Sequence, residues 1–159
     1  MVKYFYIIVY MTLLVNADSM KFVESRYHYA LDATFKQVGV ISFTKEYIEI
    51  NYVKQHKILK YTGDILTTKY KDKKEILDLN SNPSVKLFFL LFDAIYFEKK
   101  MFLTSYFKVS KAKSQIILTP KKKISSFIKK VTYHKEKNKL LYLNIVMTNK
   151  DRIKIEEVD

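Results

Sequence analysis

Between Tyr47 and Val53 apolar and polar side chains alternate, placing Ile48, Ile50 and Tyr52 on one face and Glu49 and Asn51 on the other. A period of two predicts a half-buried strand. Lys57 to Tyr61 and Ile65 to Tyr70 flank Thr62-Gly63-Asp64, whose glycine can take the positive φ of a tight turn, so this pair predicts a hairpin. Four more β-rich runs follow in the C-terminal third: Ser114 to Leu118, Phe127 to Tyr133, Leu140 to Met147 and Arg152 to Val158, with turns at Lys135 to Lys139 and Thr148 to Asp151. In the third of these, Leu141, Leu143 and Ile145 on one side and Leu140, Tyr142 and Val146 on the other are apolar, which predicts contact on both faces. The last run puts Ile153 and Ile155 inward and Arg152, Lys154 and Glu156 outward, the pattern of a wet edge strand. Met20 to Phe35 fits both helical and strand periods; its aromatic and β-branched residues favour a strand over Phe22 to Leu31.

One segment breaks this rhythm. Asn82-Pro83 offers an N-cap and a first-turn proline, and Ser84 to Phe97 then carries eleven apolar residues in fourteen. A helix there is about 21 Å long, too short to cross a membrane, and apolar nearly all round, so it must be covered on several sides. It is either a core helix packed on a sheet or the wall between a sheet and an apolar cavity.

The start of the chain has a different pattern. Lys3 precedes an apolar run of twelve, Tyr4 to Val15, and Val15-Asn16-Ala17 closes it with small residues, the layout of a secretory signal peptide cleaved after Ala17. The rival is an uncleaved anchor, but twelve helical residues span only about 18 Å against a hydrocarbon core of roughly 30 Å. No cysteine follows that run, so lipidation there is excluded. Residues 18–159 then form a single domain working outside the cytoplasm, large enough for a core without disulfides.

That domain keeps 28 basic against 16 acidic side chains, a net +12. Such charge invites nucleic acid. Arg26 and Arg152 are the only arginines, however, and the lysine, isoleucine, asparagine, tyrosine and phenylalanine usage follows A/T-rich codons, so no nucleic-acid partner is expected. A basic surface that transiently meets anionic lipid or an acidic partner fits better.

No metal, cofactor or catalytic motif is found. His28, His56 and His134 lack any second ligand at metal spacing, and no nucleophile elbow, phosphate loop or dinucleotide fingerprint occurs. The expectation is a protein that is not an enzyme and needs no cofactor. Twenty aromatic residues after Ala17, a run of antiparallel strands and one apolar helix remain as the informative features.

In their order and spacing these pieces resemble the periplasmic outer-membrane lipoprotein carrier family, LolA, and especially its shorter LolA-like branch. Phe22-Val-Glu-Ser-Arg26 is similar to the family's opening strand and Gly39-Val-Ile-Ser-Phe43 to its glycine-led second strand. Ile50-Asn-Tyr52 and Gly63-Asp64 fall where the family has an aromatic strand and the turn after it. Pro83 to Tyr96 with Leu103-Thr-Ser-Tyr-Phe107 resembles the internal helix and the strand entry after it, and Leu118-Thr-Pro120 the family's Leu-x-Pro. The resemblance implies a mainly β fold with one or two helices: an incomplete, unclosed antiparallel barrel under a helical lid. It implies a monomeric periplasmic carrier that hides acyl chains of lipoproteins between an inner-membrane ABC transporter and an outer-membrane acceptor. A component of a lipid or glycolipid export system is the alternative, and a non-enzymatic envelope interaction module another. The candidate cavity lining is Phe88, Leu91, Phe92 and Ile95 on the helix with Ile48, Ile50 and Tyr52 on the sheet. Two departures stand out. Lys45-Glu46 replaces the arginine-proline whose arginine latches the family's lid, and only Asp18 to Lys21 separate the cleavage site from the first strand, so the family's amino-terminal helix is not expected.

Overall fold

The computed structural model describes residues 18–137 and 139–159; the expected signal peptide lies outside the described residues. Eleven antiparallel strands form one unclosed sheet, and two helices pack with it. Six strands build the first half: β1 Asp18–His28, β2 Ala33–Phe43, β3 Ile48–Tyr52, β4 Lys57–Tyr61, β5 Ile65–Tyr70 and β6 Lys73–Asp78. Helices α1 Pro83–Tyr96 and α2 Lys100–Tyr106 follow. The second half is β7 Phe107–Ala112, β8 Gln115–Pro120, β9 Ile128–Glu136, β10 Lys139–Met147 and β11 Arg152–Val158.

Each half is a meander of neighbouring strands, and the two meanders join through β1 and β11, giving the order β6-β5-β4-β3-β2-β1-β11-β10-β9-β8-β7. β11 is therefore interior, not an edge: Lys21 to Tyr27 pair with it on one side and Leu143 to Val146 on the other. The alternation was right about which side chains point inward, since Ile155 is buried, but alternation reports a wet face and says nothing about a strand's neighbours.

Local chemistry explains the other departures from expectation. β1 stops at His28, not Leu31, because Tyr29–Leu31 form a 3-10 turn closed by Asp32 at φ 45°. The turn is anchored across the sheet, where Asp151 accepts the Tyr29 N–H at 2.8 Å. Leu103 to Tyr106, expected as a strand entry, belongs to α2, and β7 begins at Phe107. In β10 the pairing with β9 shifts between Leu140 and Tyr142, so the bulge brings Leu140 to the buried face with Leu143 and Ile145 and leaves Leu141 half-buried.

Helix α1 starts at the expected proline, yet the Asn82 amide does not cap it and instead donates to the Asp78 carbonyl at 2.9 Å. Leu91, Ala94 and Ile95 are wholly buried, and so are Phe89 and Phe92. Aromatic stacking fixes the helix on the sheet: Phe43 lies 4.0 Å from Tyr96 and 5.6 Å from Phe92, centroid to centroid, and Tyr61 stacks on Phe89 at 4.8 Å. No helix among the described residues is long and apolar enough to cross a membrane.

Candidate apolar cavity

The inward alternation of β1 runs Met20, Phe22, Glu24, so a carboxylate occupies a core position and is 1% exposed. A buried charge is tolerated only with partners. Arg26, two residues on and on the same face, donates from Nε to Glu24 Oε1 at 2.8 Å, and its Nη2 lies at the same distance from that oxygen. The Tyr52 hydroxyl, from β3, donates to Oε2 at 2.7 Å. Burial first, and the Glu24 charge second, hold the Tyr52 phenol far above its ordinary ionisation range. The Tyr52 ring meets Phe22 edge-on at 5.9 Å, which locks the phenol over the carboxylate.

Beside this cluster a cavity of about 340 Å³ lies between α1 and the sheet. Val85, Phe88 and Phe89 face it from the helix, Ile50, Tyr52 and Leu59 from one half of the sheet, and Ile145, Met147 and Ile153 from the other. Its walls thus draw on both meanders. Arg26 and Lys57 are its cationic groups, and the carboxylate of Glu24 stands behind Arg26.

Of the seven expected lining residues, the fold brings Ile50, Tyr52 and Phe88 together here. Phe92 instead borders a small void of about 10 Å³ shared with Phe22, Glu24 and Phe88, too small for a chain. Ile48, Leu91 and Ile95 are buried outside the lining of the 340 Å³ cavity. Lys45, set against the family's latching arginine, is exposed in the turn between β2 and β3.

Sequence reasoning missed the polar members, Glu24, Arg26 and Lys57, although the spacing of Glu24 and Arg26 on one strand face was legible. A second groove, about 420 Å³, runs between α2 and β7 to β9. It is rimmed by Lys100, Lys111 and Glu98, and its Lys135 already donates to the Tyr96 carbonyl at 2.7 Å and to Glu98 at 3.1 Å. It carries four charged side chains, Glu98, Lys100, Lys111 and Lys135, where the cavity under α1 has Arg26 and Lys57. Among the described residues no cluster of three or more histidine, cysteine or acidic side chains could hold a metal ion.

Neither a protein-family model nor a curated protein matches the chain. The site must therefore be read from its chemistry: an apolar pocket, walled by aromatic and branched aliphatic side chains, with one hydrogen-bonded ionic cluster at its margin.

Proposed function

We propose that this protein is an acyl-chain carrier of the LolA-like kind, working in the periplasm after loss of residues 1–17. The observation that carries this reading is the cavity under α1, where an apolar helix and both halves of an unclosed sheet leave space unfilled instead of packing shut. Taking about 30 Å³ for a group the size of a water molecule, 340 Å³ holds about eleven methylenes. Each methylene fully withdrawn from water is worth about 0.8 kcal/mol, so the part of a chain that this pocket covers is favoured in proportion to its burial. The passenger is an acylated lipoprotein or a lipid, received from an inner-membrane ABC transporter and passed to an outer-membrane acceptor; a place in lipid or glycolipid export is the alternative within the same chemistry.

Mass spectrometry of an organic extract of the purified protein is the direct test, with a stoichiometric acylated species expected. Phe88→Asp is the informative variant, because Phe88 faces the cavity and is half-buried, whereas Phe92 is core and its replacement would unfold the protein. Phe88→Asp should lose the extracted lipid at least tenfold with its β circular dichroism intact. Protein that yields no lipid and takes up no acyl chain sinks the proposal.

A second reading, docking on an anionic envelope surface, is favoured by one end of the sheet. The connections β1 to β2, β3 to β4, β5 to β6 and β10 to β11 all lie there, contiguous through the Lys71 N–H to His56 carbonyl bond and the Lys150 to Tyr29 hydroxyl bond. They present Lys54, Lys71 and Lys150 beside Leu31 and Val53, which are 69% and 60% exposed. Sedimentation with anionic but not neutral vesicles, lost at high salt, is the expected sign of it.

A further inference from the structure

We infer that the cavity under α1 selects a single-chain amphiphile with an anionic oxygen headgroup, seated on Arg26 and Lys57. This rests on the acyl-carrier reading of the same cavity and names what it carries. Arg26 is the key observation. Its side chain is 38% exposed, it lines the cavity, and Glu24 engages Nε and Nη2 while Nη1 keeps both of its hydrogens. Glu24, almost wholly buried and itself held by Tyr52, fixes the plane of the guanidinium, so the free edge is preset before any ligand arrives.

Charge balance points the same way. Glu24 offsets one of the two cations, Arg26 and Lys57, and among the described residues no carboxylate lies within 4.0 Å of the Lys57 ammonium. The site is thus left one positive charge in excess. A neutral chain filling the cavity would strip water from the guanidinium and give it no partner, whereas a carboxylate or phosphate at the head of the chain replaces that water with charge-assisted hydrogen bonds. The apolar walls then take the tail. Carboxylate and phosphate share this chemistry, and ligand choice separates them.

Calorimetric titration of the purified, delipidated protein with decanoate, decyl phosphate, decanol and decyltrimethylammonium tests the assignment. Decanoate or decyl phosphate should bind at least tenfold tighter than decanol, with the cationic amphiphile weakest, and the tighter of the two anions names the headgroup. Lys57→Gln should weaken the anions severalfold more than it weakens decanol. Glu24→Gln with Arg26→Gln and Lys57→Gln, which keeps a hydrogen-bonding pair and leaves the site without charge, should erase the preference; if that variant does not fold, the Lys57→Gln comparison decides. Equal binding of decanoate, decyl phosphate and decanol overturns the headgroup inference and leaves the carrier reading standing. Failure of all four ligands to bind overturns both.

Discussion

Glu24 shows how one polar residue is kept inside a β core. Its alternation partners Met20 and Phe22 place it inward, and Arg26 and Tyr52 satisfy both of its oxygens. Tyr52→Phe removes one charge-assisted bond and is expected to cost about 1.5–3 kcal/mol in chemical denaturation. It should also alter the alkaline limb of stability. A phenol held above its ordinary value of 10.0 in the folded state stabilises fully below that pH, and the contribution is lost as pH rises beyond it, because the unfolded chain gives up its proton first. Stability measured from pH 9 to 11 should therefore fall less steeply in Tyr52→Phe than in the unaltered protein. Of this site, Ile50 and Tyr52 were legible on one apolar face, which also carries Ile48 outside the cavity's lining. Glu24 was not, because a carboxylate in an alternating strand ordinarily marks the wet side, and only its partners reverse that reading.

The strands and helices were legible wherever their side chains carried a period or their turns carried the usual residues. The hairpin of β4 and β5 was found through Gly63, at φ 80°. β6 and β7 gave no such signal. The turns beside them put lysines, Lys71 at φ 52° and Lys113 at φ 55°, in the left-handed conformation that glycine or asparagine normally supplies. Gly39 carries a different constraint. A Cβ there would meet the Asn51 carbonyl oxygen at 2.8 Å and the Phe22 ring at 3.0 Å, so only glycine lets β1, β2 and β3 pack Phe22 beneath the sheet. Gly39→Ala is expected to destabilise by about 1–3 kcal/mol, read as a lower thermal midpoint. The helix α1 was legible from Asn82-Pro83 and its apolar run, but which of its faces borders space and which borders core depends on the curvature of strands distant in sequence. That is why Phe88 lines the cavity while Leu91 and Ile95 do not.

At the scale of the molecule, an unclosed sheet keeps two edges, β6 and β7. β6 is exposed along its whole length, with Ile76 at 66%, and Lys73, Lys74, Glu75 and Asp78 accompany it. Those charges oppose edge-to-edge pairing. Replacing Lys74 and Glu75 by valine should raise the weight-average mass in analytical ultracentrifugation as concentration increases, relative to the unaltered chain. The strand order was the part of the fold that sequence could least supply, since neighbours such as Lys21 and Val158 are joined by no local signal. That pairing also dictates a timetable. Each meander closes only short loops, but β1 cannot gain its second neighbour until β11 has been made, so the seam forms last and carries the largest loop-closure entropy in the molecule. A nascent chain therefore waits with Met20 and Phe22 beside an unfilled place in the sheet.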